Sequence, residues 1–169
     1  TRFSNGGEGH QVRVHQLFLN DEGWLMAAPF EFDGETITDE AIASKASIAD
    51  ADIAGDYQFM RHQYGQNTKA KAFETPVNIT LNADGTITGA EKGTWKRTAG
   101  TDYIHLTINN VAYRGVLVKQ TIDYTNIPAI AISALSSSSG SLTMGQNNFT
   151  YQQEVWAVKA DAKAAIKYT

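Results

Sequence analysis

The feature that most constrains this chain is a repeated alternation of apolar and polar residues in short runs. In VNITLN (77–82) and YIHLTIN (103–109), every second residue is apolar. A period of two places one face of a β-strand in the core and the other in solvent. Turn sequences such as Asn82-Ala83-Asp84-Gly85 and Asn109-Asn110 separate the runs. This pattern predicts an all-β protein with about eight short antiparallel strands.

Strands with one apolar face need a closed or nearly closed sheet around a packed interior. We therefore expect a single antiparallel β-barrel of the lipocalin-like kind. Two extended runs joined by the turn at residues 20–23 predict a hairpin before it. The Ala-rich segment 36–52 lacks alternation and is the best candidate for a boundary. The predicted organisation is an N-terminal hairpin over 1–35 and a barrel over 36–169.

Composition excludes several classes of function. The net charge is −4 and there is no run of Lys and Arg, which argues against a nucleic-acid partner. No apolar stretch approaches the length of about 18 residues that a membrane helix needs. Cysteine is absent, so a Cys nucleophile and Cys-ligated metals are ruled out. Because the chain opens without Met or an apolar signal region, we expect a mature form or an excised fragment.

The sequence shows no catalytic constellation. It lacks G-x-S-x-G, and its four histidines have no metal-ligand spacing. The acidic residues lie mostly in turns, Asp102 among them, where a carboxylate is usually solvated. We predict no catalytic residue, no cofactor and no metal, although a loop calcium site at Asp84, Asp102 or Asp123 stays open.

Aromatic rings next to amide side chains favour carbohydrate binding. A ring covers the CH-rich face of a sugar while amides bond its hydroxyls. The candidate carbohydrate-binding residues lie in polar surroundings and are Tyr124, Tyr151, Phe149, Tyr64, Asn148 and Gln152. Most belong to the Ser/Gly/Asn/Gln-rich stretch 136–153, which we interpret as a long connection between two strands. The alternative is that these rings only anchor loops.

Four further aromatic residues are expected in the core: Tyr57, Phe59 and Trp156 on the inward faces of strands, and Trp95 directly after a Gly-Thr turn. If Tyr57, Phe59 and Trp156 lined an interior cavity, the barrel would instead hold a small apolar ligand, as lipocalins do. A purely structural domain that supports a hydrolase is a further alternative.

The segment HQVRVHQLFLNDEGWLMAAPFEF (10–32) resembles the closing segment of family 43 glycoside hydrolase arabinanases. Their string runs R-x-H-Q-L-x-x-x-x-x-G-W, followed by A-P and an aromatic residue. The matching residues here are Arg13, His15, Gln16, Leu17, Gly23, Trp24, Ala28, Pro29 and Phe30. Later segments, including GDYQFMRH, LNADGTITG, GTW, YRGVLVKQ and VWAVK, resemble the C-terminal β-barrel domain of two-domain members.

The resemblance implies an accessory role. In that family the catalytic carboxylates lie in a five-bladed propeller, which 169 residues cannot build. It implies a non-catalytic module with arabinan or a related hemicellulose as ligand, a glycoside hydrolase catalytic domain as partner, and a secreted or cell-surface location in a bacterium. Residues 1–35 would be the last propeller strands or a linker packed on the propeller. The stretch 136–153 departs from the family.

Overall fold

The computed structural model describes residues 2–3, 9–10, 12–34, 42–62, 75–144 and 147–160. The described part is almost entirely β-structure, as the alternation predicts. Its elements in chain order are β1 (Arg2–Phe3), β2 (Gly9–His10), β3 (Leu17–Leu19), β4 (Leu25–Ala27), α1 (Asp50–Ile53), β5 (Gly55–Arg61), β6 (Val77–Leu81), β7 (Thr86–Gly89), β8 (Gly93–Arg97), β9 (Tyr103–Ile108), β10 (Val111–Thr121), β11 (Pro128–Met144) and β12 (Asn147–Ala160). In the described part of the chain, no helix is long or apolar enough to cross a membrane.

Strands β5 to β12 form a closed barrel in the order β10-β11-β12-β5-β6-β7-β8-β9, and β9 pairs with β10 to complete the circle. All eight neighbours are antiparallel. Asn109 and Asn110 turn β9 into β10 with φ of 49° and 66°. Asparagine tolerates this left-handed region, and two such residues match the right-handed twist of a hairpin. The predicted fold class is confirmed.

The barrel interior is filled by side chains. Alternate residues of β5, β6 and β9 to β12 point inward and are almost fully buried; the bulkiest are Tyr57, Tyr113, Phe59, Ile104, Leu106 and Ile132. The hydroxyl of Tyr57 donates a 2.7 Å hydrogen bond to the carbonyl oxygen of Ile53. Burial raises the pKa of Tyr57, so the phenol stays neutral in the core.

Trp156 does not point inward, which corrects the prediction. Its neighbours Val155 and Ala157 are each 1% exposed and belong to the core. Trp156 lies on the outer face of β12, where it packs edge to face on His62 with 4.2 Å between ring centroids. Trp95 does pack against the core, but it is only partly buried, and its indole N–H donates to the carbonyl oxygen of Asn82 at 2.8 Å.

A buried ion pair closes one end of the barrel. The guanidinium of Arg97 donates to Asp102 at 2.6 Å and to the carbonyl oxygen of Ile48 at 2.6 Å. The second oxygen of Asp102 accepts hydrogen bonds from the backbone N–H and hydroxyl of Ser47. These bonds hold the segment before α1 over the barrel end, so that Ile48 and Ile53 join the core. Asp102 is therefore buried, contrary to the expectation of a solvated turn carboxylate.

The hairpin β3–β4 packs on the outside of the barrel. Phe18 and Met26 lie opposite each other in its register and face the barrel. They form a second buried cluster with Ala28, Ala43, Val116 and Val118. The predicted hairpin and its turn at 20–23 are confirmed.

The stretch 136–153 is not a connection, so that prediction is wrong. β11 continues to Met144 and β12 begins at Asn147, and their ladder runs from the Ala129–Ala160 pair out to the Met144–Asn147 pair. The register shifts between Leu135 and Ser139. Beyond that shift the two strands form a two-stranded ribbon, which we call the arm (residues 139–144 and 147–152).

The buried pair predicts that two carboxylates contacting the same arginine contribute very differently to the free energy of unfolding. Asp102→Ala should lower the free energy of unfolding by about 3–5 kcal/mol, because Arg97 would keep a buried charge without its partner. Asp50 also accepts from Arg97, at 2.7 Å, but its side chain is 90% exposed. Asp50→Ala should therefore cost less than about 1 kcal/mol. Urea unfolding of the two variants measures both; equal losses would show that burial does not decide the strength of this pair.

Candidate functional site

Tyr124 lies at the turn from β10 to β11 and is half exposed. Its φ of 60° is unusual for a bulky residue. Arg13 donates to the Tyr124 hydroxyl at 2.9 Å, and its guanidinium lies 5.5 Å from the ring centroid. Arg13 also pairs with Glu31 at 3.1 Å and with Asp123 at 3.3 Å. The result is a surface corner with an aromatic ring, one cation and two carboxylates.

Residues of the segment that carries the resemblance both tie that segment together and attach it to the barrel. Arg13 makes the corner contacts, and Nδ1 of His15 lies 2.9 Å from the carbonyl oxygen of Ala28. The side-chain amide of Gln120, at the end of β10, exchanges two hydrogen bonds with the backbone of Phe30. The motif that carries the resemblance therefore has a structural role in this molecule.

The register of the arm separates the predicted rings from the predicted amides. Phe149 pairs with Leu142, and Tyr151 pairs with Gly140, so these positions share one face with the Met144–Asn147 pair. Asn148 and Gln152 pair with Thr143 and Ser139 on the opposite face. One face is thus largely apolar in sequence, and the other carries only hydroxyl and amide residues.

The structure also places Tyr124 far from the arm. Gly140, the partner of Tyr151, follows Pro128 by 12 residues along β11. At the rise of an extended strand this is about 40 Å, so the two regions are separate candidate surfaces. The Gln152 amide donates to the carbonyl oxygen of Ser136 at 3.0 Å. Tyr64 lies outside the described residues.

The end of the barrel opposite α1 carries a second ion pair. Arg61 bonds to Glu91, and the amide of Asn109 donates to the other oxygen of Glu91 at 2.5 Å. The Arg61 guanidinium lies 5.0 Å from the centroid of the buried Phe59 ring. Arg61 lowers the pKa of the Glu91 carboxyl, and Glu91 raises the pKa of Arg61. A general acid needs a raised carboxyl pKa, which is the opposite direction.

The three carboxylates at which a calcium site stayed open are each engaged by protein donors. Asp84 accepts from the hydroxyl and backbone N–H of Thr86, which lowers its pKa. Asp102 binds Arg97 and Ser47. Asp123 accepts from Arg13 and from the backbone N–H of Glu31. Among the described residues no three His, Asp or Glu side chains group as metal ligands.

The closed eight-stranded barrel agrees with the fold of a known domain family. The family described as the C-terminal lipocalin-like domain GH43_C matches residues 29–145. The chain belongs to this family. The suspected relationship to the C-terminal barrel of family 43 glycoside hydrolases is therefore confirmed.

Two curated relatives of this GH43_C domain are extracellular endo-α-(1→5)-L-arabinanases. The enzyme from Thermotoga petrophila is 44% identical over 71% of this chain and 24% of its own length. The second arabinanase of Bacillus subtilis is 36% identical over 82% of this chain and 27% of its own length. The chain thus spans about a quarter of these relatives, and it matches their C-terminal part.

Solved structures give the same result. The Thermotoga petrophila endo-1,5-α-L-arabinanase superposes with a TM-score of 0.70 at 37% identity, covering 95% of this chain and 31% of that one. A family 43 glycoside hydrolase from Bacillus licheniformis superposes with a TM-score of 0.69 at 32% identity, covering 96% and 31%.

Sequence reasoning missed the Arg61–Glu91 pair and the contacts of Arg13. Arg13 carried a signal, since it opens the R-x-H-Q-L motif, but its partners lie 18 and 110 residues away in sequence. Arg61 follows the inward residues Tyr57 and Phe59 at the same period of two. Because it continues this alternation, Arg61 lies on the inward side of β5 at the end of the strand, and this is the sequence signal for the ion pair.

The depressed pKa of Glu91 predicts an acid-dependent contribution to stability. Its ordinary value is 4.5, and the folded value is lower. The stabilisation is therefore complete above about pH 4.5 and is lost as the pH falls through the folded pKa. Glu91→Gln should destabilise the protein at pH 7 and much less near pH 3, as measured by urea unfolding. Glu22→Gln, at the 38% exposed partner of Arg114, is the control. A stability difference between the parent and Glu91→Gln that stays constant with pH would contradict this reasoning.

Proposed function

We propose that this domain is a non-catalytic accessory module of a secreted, arabinan-degrading family 43 glycoside hydrolase. The observation that carries the proposal is that the chain matches only the C-terminal part of relatives named as extracellular endo-arabinanases. The greater part of each relative lies outside the match, so the catalytic residues of the whole enzyme would lie in that other part. The module would hold, orient or bind polysaccharide for that part.

The electrostatics of the barrel support a non-catalytic role. Glycoside hydrolysis uses two carboxylates, one with a raised pKa to protonate the leaving group. Here Glu91 and Asp102 are paired with Arg61 and Arg97, and Asp123 is paired with Arg13. For Glu91 the adjacent Arg61 guanidinium lowers the carboxyl pKa, which is the opposite of what a general acid needs.

The filled interior argues against the second candidate, a barrel that holds a small apolar molecule. Tyr57 and Phe59, which would line the cavity, are each 1% exposed and packed in the core, and Trp156 lies outside it. A ligand would have to displace close-packed side chains, which costs free energy. Polysaccharide contact at the surface needs no such rearrangement.

Within this function, the apolar face of the arm is our proposed sugar contact. Positions 149 and 151 share that face, two residues and about 7 Å apart along the strand, and both carry an aromatic residue in the sequence. Gly140, the residue paired with Tyr151, contributes no side chain to that face. The Tyr124 corner is the competing surface, because its aromatic ring is half exposed. That ring also contacts the guanidinium of Arg13.

The first test concerns catalysis. The purified chain should release no reducing sugar from linear or branched arabinan, because it matches only the C-terminal part of the arabinanases. The Thermotoga petrophila arabinanase serves as the positive control under the same conditions. Hydrolysis by this chain that a single carboxylate substitution abolishes would overturn the non-catalytic assignment.

The second test concerns binding. Affinity electrophoresis on arabinan, xylan, xyloglucan and pectin identifies the preferred polysaccharide, and calorimetry gives its Kd, which we expect near 10⁻⁵–10⁻³ M, about −4 to −7 kcal/mol. Tyr151→Ala should weaken binding about tenfold, the loss of one stacked ring. Tyr124→Ala, at the far end of β11, is the matched control and should leave affinity unchanged. The reverse pattern moves the site to the corner, and no binding by the parent removes the sugar-binding role.

A further inference from the structure

The arm is a two-stranded ribbon that continues beyond the strands on either side of it. β10 pairs with β11 only as far as the Tyr113–Ser136 pair, and the turn at 109–110 takes the chain back into β9 there. Among the strands that the structure describes, none pairs with residues 139–144 on the side away from β12. We call this side of residues 139–144 the β11 edge.

The backbone of the β11 edge is suited to adding a strand. Alternate residues of a β-strand direct their N–H and C=O groups to opposite sides, so half of these groups face away from β12. A row of such groups is a template for pairing with another chain. A two-stranded ribbon alone is only marginally stable in water and gains stability from further strands. These properties favour recognition by strand addition.

The sequence of the arm lacks the features that usually prevent edge pairing, which are charged side chains, proline and bulges. Between Asp123 and Glu154 there is no charged residue and no histidine, and the one proline, Pro128, lies at the start of β11. The register shift between Leu135 and Ser139 comes before the edge and does not interrupt it. The edge is therefore open to a second strand.

We propose that the β11 edge pairs antiparallel with the β11 edge of a second copy of this chain. The two arms would then form a four-stranded sheet in the order β12-β11-β11-β12. An antiparallel pair of identical strands has two-fold symmetry, so the edge is complementary to itself. Because the arm carries no charge, two identical arms meet without like-charge repulsion.

Pairing would place equivalent faces of the two arms side by side. The two-fold axis of an antiparallel pair is perpendicular to the sheet, so both copies turn the same face to the same side. Positions 149 and 151 of both copies would share that surface. Two adjacent sugar contacts would raise the avidity for a polysaccharide. This consequence rests on the proposed function, whereas the pairing itself does not depend on it.

The first measurement is sedimentation equilibrium of the purified 169-residue chain. The β11 edge is about 20 Å long, which makes a small contact beside the standard interface of about 1,600 Å². We therefore expect a weak dimer, with a Kd between about 1 μM and 1 mM.

The second measurement compares two lysine pairs on the same face of the arm. The variant is Ser141→Lys/Thr143→Lys on the edge. The matched control is Asn148→Lys/Thr150→Lys, at the cross-strand partners of these residues on β12. In the dimer the two β11 strands lie about 4.8 Å apart, whereas the two β12 strands are three spacings, about 14 Å, apart. Salt screens the longer distance, since the Debye length is about 8 Å at physiological ionic strength.

The variant should raise the Kd about tenfold, because like charges then face each other across the new strand pair. The control adds the same charge and should leave the Kd within about twofold of the parent. Melting temperatures of both proteins check that the arm tolerates lysine. If the double variant melts lower than the control, Thr143→Lys and Asn148→Lys replace the two pairs.

Amide hydrogen exchange locates the contact without any substitution. Alternate amides of residues 139–144 should exchange more slowly above the Kd than well below it, because they become hydrogen-bonded in the dimer. This result is expected for the parent and for the control. It decides the question even where a lysine variant disturbs the ladder between β11 and β12.

Three outcomes overturn the proposal. One is a chain that stays monomeric up to about 1 mM. Another is a dimer that the edge variant leaves intact or weakens no more than the control does, which assigns the contact to another surface or another edge. The third is a dimer without added amide protection at 139–144. Arabinan affinity is measured separately, well below the Kd of the dimer, and its failure contradicts the proposed function alone.

Discussion

The central part of strand β10 is buried on both faces, and this burial joins the barrel core to the hairpin outside it. Tyr113 and Leu117 point into the barrel core, while Val116 and Val118 lie under the hairpin. The run VAYRGVLVKQ accordingly reads as nearly continuous apolar sequence, which is typical of a strand covered on both sides. Gly115 permits this at its centre, because a Cβ there would collide with the carbonyl oxygen of Ser133 on β11. With β10 covered, the hairpin must lie outside the barrel, and its second face turns to solvent.

The alternation of apolar residues predicted the barrel because it is a local property of each strand. It could not decide the direction of Trp156, since both parities of EVWAVKA carry apolar side chains. Only pairing of β12 with β5 fixes which set is inside. The arm was missed for a related reason: serine, glycine and asparagine have low strand propensity, and the ladder between β11 and β12 overrides it. The burial of Asp102 depends on Arg97 and on Ser47, which is 55 residues away.

The residue types of the candidate site were predictable from the sequence, but the faces on which those residues lie were not. Rings near amides were visible in sequence, but alternation sends neighbouring residues of a strand to opposite faces. Once residues 147–152 are strand and not loop, Asn148 cannot share a face with Phe149. The same rule makes the arm amphipathic and gives it two different surfaces. The ring of Tyr124 belongs to a corner built by Arg13, whose partners come from separate segments of the chain.

Hydrophobicity alone does not decide which face of the β3–β4 hairpin packs on the barrel. Its inner face has Phe18 and Met26, and its outer face has three leucines, so a one-residue slip would exchange two apolar faces at little cost in buried area. Polar contacts at both ends remove this ambiguity. At the turn, the buried amide of Asn20 donates to the carbonyl oxygen of Arg114 and accepts from the backbone N–H groups of Glu22 and Trp24. At the other end, Gln120 and Asp123 bind the backbone of residues 30 and 31. Each of these part-buried hydrogen bonds adds only about 0.5–1.5 kcal/mol, but a slipped hairpin would break bonds at both ends together. The orientation that places Phe18 and Met26 on the barrel and exposes the leucines is therefore specified by these hydrogen bonds.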